Sequence, residues 1–292
     1  MQQPSSTTIL LDNGSINPEA TKNLRWVAGQ LSERLVFPVE PISIAHSDQV
    51  EADHLDGKPA EVLPHFLERC YKKGITHVNI IPFFFAEGGG IVKLAQRKLR
   101  ECQREMPELT YSFTRFPYDE SQPDNLHVAR ILSIRIQEAI RQHGLDRPPV
   151  ILVDHGSPLP QAAYVRNMIC GQVNALCADT IGPIGAASME RRDGEQYAFN
   201  DPLLEDRLKM SGYDFGNVIV AMLFLSPGRH AGAGGDVESI CKAAEAESSD
   251  NAPLKTLMTE LVGTHPDIVD VLATRYHQTD KAASKSGGKV ST

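Results

Sequence analysis

The sequence is poor in the features that mark secreted, zinc-stabilised or membrane-spanning proteins. Its five cysteines form no CxxC pair and leave one over if the others were bridged, which argues against a disulfide framework and a structural zinc site. No apolar run approaches the roughly 20 residues that span a bilayer. The polar start MQQPSSTT also lacks the basic and apolar regions of a signal peptide. We therefore expect a cytoplasmic protein with no membrane partner.

Positive charge is also scarce. The formal net charge is -8 and the isoelectric point is near 5.7. Because binding to nucleic acid normally needs a basic face, we expect no nucleic-acid partner. What the chain does have is length and apolar content. With 292 residues, 41% of them hydrophobic, it can form one large domain or two of ordinary size, and we expect two.

Three blocks of sequence occur twice in the same order, which indicates an internal duplication. The first and clearest pair is TILLDNGSINPEA and VILVDHGSPLPQA, separated by 142 residues, and the other two pairs are separated by 140. The paired ranges are 8–20 with 150–162, 78–90 with 218–230, and 129–136 with 269–276.

The duplication predicts two homologous halves, residues 1–143 and 150–278. Within each half, short apolar runs rich in β-branched residues alternate with helical patterns, one of which predicts a helix near 201–211. This alternation is typical of a parallel sheet with helices on both faces. We therefore predict an α/β fold of two small doubly wound domains. The tail at 279–292 has too little apolar content to order, and we predict that it is disordered.

Polar residues follow three predicted strands of the second half. His155 directly follows the first strand, Glu190 follows the second and His230 follows the third. Ligands of open parallel sheets bind beyond the carboxyl ends of the strands, so we expect these side chains to meet there. Two imidazoles and a carboxylate can bind a divalent metal or transfer protons. The sequence thus predicts one or both of these activities in the second half.

The first half does not repeat these residues. Its corresponding positions carry Asn13, His46 and Gly90, when SIAH is aligned beneath SMER. Asparagine and glycine cannot act as a histidine base. We therefore predict that the first half is degenerate and shapes a cleft, while the second half carries out the chemistry.

At these positions the chain resembles the class II chelatases, the sirohydrochlorin cobalto- and ferrochelatases of the CbiX and SirB type, in their two-half form. The resemblance rests on HGS after the first strand, Glu after the second, GRH at 228–230 and the helix after GTHP. It implies two flavodoxin-like domains and insertion of Co²⁺ or Fe²⁺, with Ni²⁺ as a further option, into sirohydrochlorin for cobalamin or sirohaem biosynthesis. The same resemblance makes His155, Glu190 and His230 the metal ligands and catalytic residues.

The resemblance also implies a substrate with eight carboxylates, which guanidinium groups suit. We assign substrate binding to five residues: Arg191, Arg192, Arg229, Ser157 and Asn13. The implied reaction uses no ATP, so we expect no nucleotide cofactor, and we expect a monomer with an internal pseudo-dimer. Where the family commonly places an Asp about four residues after the second histidine, this chain has AGAGG before Asp236.

Other interpretations of these motifs remain open. A glycine-rich loop without the full dinucleotide pattern is weak support for NAD binding, and DHGS lacks the GxSxG elbow of a serine nucleophile. Arg191 and Arg192 fit a solvated turn as well as a substrate contact. The chain also fits a tetrapyrrole or metal carrier, or a regulatory homologue, that binds without turnover. Retention of all three ligand types in one half argues against a regulatory homologue.

Overall fold

A computed structural model describes residues 5–122 and 124–286, with residues 280–286 described by their backbone alone. The chain divides into two compact units. The first contains the residues up to Glu87, Ile91–Gln122 and the residues from Pro266 on, and the second contains Gly88–Gly90 and the described part of Pro123–His265.

The first unit is built on a four-stranded parallel sheet with the strand order β2-β1-β3-β4. Its strands are β1 (Ser5–Asp12), β2 (Val39–Ser43), β3 (Ile75–Pro82) and β4 (Thr110–Phe113). Its helices are α1 (Pro18–Leu35), α2 (Leu63–Lys72), α3 (Gly90–Glu105) and α8 (Asp267–Ser286). Ile9 and Leu11 pack with Phe66 and Leu99 on one face of this sheet. Leu10 is buried on the opposite face, as the alternation of strand side chains requires.

The second unit repeats this plan with the strand order β6-β5-β7-β8, again all parallel. Its strands are β5 (Val150–Asp154), β6 (Ile184–Ser188), β7 (Gly216–Met222) and β8 (Leu254–Met258). Its helices are α4 (His127–His143), α5 (Pro160–Cys177), α6 (Leu204–Arg207) and α7 (Asp236–Glu247). The two predicted α/β domains with parallel sheets are therefore confirmed.

The last helix of each sequence half belongs to the compact unit that contains the sheet of the other half. The helix α4 packs against α5 and β7 within the second unit, and α8 packs against α1 within the first. Equivalent arginines anchor both helices. Arg275 of α8 donates to Pro117 O at 3.0 Å, and Arg135 of α4 donates to Thr264 Oγ1 at 3.2 Å. The sequence halves predicted at 1–143 and 150–278 are thus repeats of sequence, and the compact units are assembled from both of them.

The predicted and observed elements differ in two places. The helix predicted near 201–211 is reduced to α6, preceded by a 3-10 helix at Glu195–Asn200. The predicted disordered tail overlaps the end of α8, which runs to Ser286, and residues 287–292 lie outside the described part of the chain. Within that part, no helix combines the length and the apolar character that crossing a membrane requires.

Candidate functional site

The ends of β5 and β6 hold two of the predicted site residues side by side. Asp154 lies opposite Ser188 at the end of the strand pair. Beyond the strands the pairing continues, because Met189 N donates to Asp154 O at 2.8 Å and Glu190 N donates to His155 O at 3.3 Å. Backbone hydrogen bonds therefore fix the separation of the His155 and Glu190 backbones.

Gly156 is required by the turn that follows His155. Its φ of 88° lies in the left-handed region, and a Cβ atom there would be 1.9 Å from Glu190 O. Only glycine lets the chain pass this close to its neighbour. The glycine of the HGS sequence is thus part of the geometry that presents His155 beside Glu190.

His230 reaches the same place from the loop between β7 and α7. Its backbone is tied to the start of α7, because Val237 N donates to His230 O at 3.2 Å. The centroids of the His155 and His230 rings are 4.4 Å apart and the rings are inclined at 78°. His155 Nε2 lies 3.6 Å from Glu190 Oε1. The structure therefore brings together the three residues that the sequence selected.

Hydrogen bonds determine which nitrogen of each imidazole carries the proton. His155 Nδ1 lies 3.0 Å from Gly156 O, and His230 Nδ1 lies 2.6 Å from Asp236 Oδ2. Carbonyl and carboxylate oxygens only accept, so each Nδ1 donates. In the neutral rings both Nε2 atoms then carry a lone pair, which can bind a metal or take up a proton. Asp236 orients His230, although it lies six residues after it and not the four expected.

In the observed side-chain conformations, the described residues contain no group of three or more His, Cys, Asp or Glu side chains placed to hold a metal ion. His155 Nε2 faces Glu190, and His230 Nδ1 faces Asp236. The side chains of His155, Glu190 and His230 are 45%, 59% and 31% exposed, so they have room to rotate. Binding of one ion by all three requires such a rotation.

The three arginines assigned to substrate binding fall into two groups. Arg192 lies over the Tyr197 ring with its Cζ 5.9 Å from the centroid, and Arg229 is 81% exposed and 3.8 Å from Asp236. Arg191 has protein partners for much of its guanidinium, since Nε lies 2.9 Å from Asp201 Oδ1 and Nη1 donates to Gly194 O at 3.2 Å.

The remaining two assigned residues are Ser157 and Asn13. Ser157 Oγ accepts a hydrogen bond from Leu159 N at 3.1 Å, and Ser15 makes the same bond to Asn17 N at 3.0 Å in the first unit. This shared bond favours a structural role for the Ser157 hydroxyl. Asn13 is exposed at the end of β1 in the first unit.

Beneath the site lies a buried polar network that the sequence analysis missed. Arg166 of α5 is 1% exposed and Asn200 is fully buried. The Asn200 side chain accepts from Ser157 N and donates to Ser157 O, both at 3.0 Å. A charged residue within the apolar face of α5, where α1 has Leu24, was the signal that could have drawn attention to Arg166.

The corresponding turn of the first unit has the same backbone and different side chains. Ile44 N donates to Asp12 O at 2.9 Å and Ala45 N donates to Asn13 O at 3.3 Å. The position of Glu190 is therefore occupied by Ala45, and the assignment of His46 to it was wrong by one residue. With SIAH beneath SMER, Ala45 already lies under Glu190 and His46 lies under Arg191, so His46 was misassigned by a miscount of one residue, and the backbone pairing identifies Ala45 as the equivalent residue.

The strand-end aspartates also differ in their surroundings. Burial raises the pKa of Asp12 to about 6, and the hydrogen bond from Ser43 opposes this only in part. Among the residues that the structure describes, Asp12 Oδ1 has no hydrogen-bond partner. Burial also raises the pKa of Asp154, where the Arg166 guanidinium and the Ser188 hydroxyl act in the opposite direction. The second unit thus buries its aspartate beside a cation.

Comparison with solved structures shows the same fold. SirB from Bacillus subtilis with Fe3+ is 13% identical and has a TM-score of 0.63, over 97% of this chain and 98% of SirB. The sirohydrochlorin chelatase SirB from Bacillus subtilis subspecies spizizenii in complex with cobalt is 12% identical, with a TM-score of 0.64 over 96% and 97%. CbiX, described as the terminal enzyme for biosynthesis of siroheme in denitrifying bacteria, is 14% identical, with a TM-score of 0.57 over 95% and 99%.

Sequence comparison identifies the family. No curated protein matches the chain. The sequence model of the CbiX family, however, matches it twice, over residues 7–139 and 149–279, which together make up most of its length. The two matches correspond to the two predicted repeats. The chain therefore belongs to the CbiX family.

Proposed function

We propose that the second unit inserts a divalent metal, Co²⁺ or Fe²⁺, into a sirohydrochlorin-type tetrapyrrole without a nucleotide cofactor. The observation that carries the proposal is the pair of imidazoles whose Nδ1 atoms are both held by acceptor oxygens. Their Nε2 lone pairs and the Glu190 carboxylate stand together at the carboxyl ends of parallel strands. Membership of the CbiX family, and fold relatives described as binding iron or cobalt, support the assignment of substrate.

The reaction exchanges one ion for two protons. Insertion of a divalent cation into a tetrapyrrole breaks two pyrrole N–H bonds, forms metal–nitrogen bonds and releases two protons without oxidation or reduction. Neutral His155 and His230 first bind the cation through Nε2, and Glu190 adds negative charge that favours it. As the metal moves to the macrocycle, the same groups become free to accept the pyrrole protons.

The neighbouring arginines suit an acidic macrocycle. The Arg229 side chain is 81% exposed, and Arg192 rests on the face of Tyr197. Both present donors that match carboxylates. The contacts of Arg191 with Asp201 and Gly194 instead hold the loop that follows β6. We therefore propose Arg192 and Arg229 as the main contacts for peripheral carboxylates, with Arg191 supporting them.

Anaerobic incubation with sirohydrochlorin and Co²⁺, Fe²⁺ or Ni²⁺, followed by absorbance, tests this proposal. We expect the protein to accelerate insertion of at least one metal over the rate without protein. The matched control is His155→Ala compared with Asn13→Ala, because the two residues follow equivalent strands. Binding of metal and tetrapyrrole with no acceleration for any ion would instead identify a carrier, and absence of binding would contradict both functions.

A further inference from the structure

We propose that Arg166 is a positioning residue that holds the ends of β5 and β6, and through them His155 and Glu190, in the geometry needed to bind metal. The inference rests on the proposed function, because it takes His155 and Glu190 as metal ligands. Arg166 lies below the site in α5 and is 1% exposed, so it acts through its neighbours and not by contact with substrate.

The contacts of Arg166 join three segments of the second unit. Nη1 donates to Ser188 Oγ and to Asn200 O, the latter at 3.0 Å, and lies 3.6 Å from Asp154 Oδ1. Nη2 donates to Phe199 O at 3.4 Å. Ser188 Oγ donates in turn to Asp154 Oδ1 at 2.7 Å. One guanidinium thus connects β5, β6 and the 3-10 helix at Glu195–Asn200.

Two members of this network lie within two residues of the proposed ligands in the sequence. Asp154 immediately precedes His155, and Ser188 lies two residues before Glu190. The backbone bonds that pair these strand ends begin at the same residues. A shift of the Asp154 or Ser188 side chain is therefore transmitted to both ligands within one or two residues.

The first unit shows what the same scaffold does without this connection. The helices α1 and α5 both have 18 residues and begin with proline, so Leu24 of α1 is the counterpart of Arg166. Leu24 is 1% exposed and brings no charge to Asp12. The unit whose strand ends carry Asn13 and Ala45 thus has a leucine at the position of Arg166.

Anchoring of a loop alone does not explain Arg166. Val62 and Leu203 make equivalent parallel bridges to the second strand of each sheet, which makes Lys58 and Pro59 the counterparts of Phe199 and Asn200. In the first unit Arg25 donates to Lys58 O at 2.6 Å and to Pro59 O at 3.1 Å.

Arg25 therefore anchors the equivalent segment from the next position along the helix, and it does so from a half-buried site. Burying a guanidinium completely costs far more solvation than holding it at the surface. Arg166 is buried more deeply than Arg25 and contacts the strand ends at Asp154 and Ser188, whereas Arg25 donates to the loop segment. This difference favours a role for Arg166 at the site over a role in loop anchoring.

Measurement of Co²⁺ affinity and of the kinetics of insertion tests the proposal, with Arg25→Met as the control. We expect Arg166→Met to weaken Co²⁺ binding by about 10- to 100-fold, as is usual for residues that orient metal ligands. Arg25→Met removes the equivalent carbonyl contacts and should leave Co²⁺ affinity unchanged. In Ser188→Ala, which removes one link and no buried charge, we expect a smaller loss of affinity in the same direction.

A folded Arg166→Met variant that binds Co²⁺ as tightly as the wild type would overturn the proposal. If that variant does not fold, Ser188→Ala decides in the same way. Failure of the proposed function gives a different result, because the wild type itself would then not accelerate insertion. A wild type that binds no Co²⁺ would remove the premise that His155 and Glu190 are ligands.

Discussion

The turns after β1 and β5 have the same backbone geometry but present side chains of different chemistry. In both, a glycine with φ above 80° follows the strand, and two backbone hydrogen bonds extend the pairing with the next strand. The side chains presented by these turns are Asn13 and Ala45 in the first unit, and His155 and Glu190 in the second. The comparison teaches that two repeats of one fold can keep the same backbone turn while presenting different side chains.

The comparison extends beneath the surface. Asp12 and Asp154 end equivalent strands and both accept a hydrogen bond from a serine of the next strand. Only Asp154 has a guanidinium within 3.6 Å. The buried cation is thus found in the unit that carries the proposed ligands His155 and Glu190. The same kind of substitution in each unit should therefore have different effects.

The largest difference is expected between His155→Ala and Asn13→Ala. Loss of a metal ligand that also acts as a base should reduce insertion by at least about 10³-fold, and His230→Ala should do the same. Asn13 has no basic nitrogen, so Asn13→Ala should retain most activity. Steady-state insertion rates, with circular dichroism to confirm folding, check the prediction. Equal losses in His155→Ala and Asn13→Ala would show that the first unit takes part in the chemistry.

The next effect concerns Asp236, which accepts the Nδ1 hydrogen of His230 at 2.6 Å. Asp236→Asn can present its NH₂ group to that nitrogen and favour the wrong tautomer, so metal affinity should fall by about 10- to 100-fold. Titration with Co²⁺ measures this loss. Asp201→Asn is a suitable control, because Asp201 contacts Arg191 and neither histidine. An unchanged affinity in Asp236→Asn would show that the orientation of His230 does not depend on this bond.

The two glycines provide a matched test of geometry. A Cβ at Gly156 would lie 1.9 Å from Glu190 O, and one at Gly14 would lie 1.8 Å from Ala45 O. Alanine should therefore destabilise the protein by about 2 kcal/mol in either position. Only Gly156→Ala displaces a proposed ligand, so we expect only that variant to lose activity beyond its loss of stability. Thermal unfolding and insertion rates of both variants, measured together, would reveal any departure from this pattern.

The smallest effect on activity is expected at Asp12, where a substitution should change only the dependence of stability on pH. The folded-state pKa of Asp12 is about 6, compared with an ordinary value of 3.8. Its contribution to stability is therefore complete below about pH 4 and is lost as the pH rises through about 6. As the pH rises from about 4 to above 6, the free energy of unfolding of Asp12→Asn should increase by up to about 3 kcal/mol relative to that of the wild type. Urea unfolding at pH 4 and pH 7.5 measures the change, and a constant difference between the two proteins would contradict it.

The sheets and the proximity of the three candidate site residues could be predicted from the sequence because both leave local signals. β-branched runs such as VILVD and NVIVAM are typical of buried parallel strands. Comparison of the two repeats distinguished His155 because the equivalent position in the first half carries Asn13. The three site residues follow strands that are neighbours in the sheet, so the rule for strand ends was enough to bring them together.

Other features depend on contacts between residues far apart in the chain. The sequence did not indicate that Arg166 meets residues 22 and 34 positions away, since such pairs leave no periodic pattern. The helix predicted near 201–211 begins only at Leu204, because Ser188 N of β6 donates to Pro202 O and Leu203 forms a parallel bridge with Ser188. The local sequence pattern also did not indicate that α4 and α8 each pack in the unit that contains the sheet of the other half.

The central claim is that the second unit alone carries a metal-binding site, and the stoichiometry of Co²⁺ binding tests it most directly. Anaerobic isothermal titration should show one Co²⁺ per chain for the wild type and for Asn13→Ala. The double variant His155→Ala with His230→Ala should bind none with comparable affinity. Two ions per chain, or one ion retained by the folded double variant, would contradict the account.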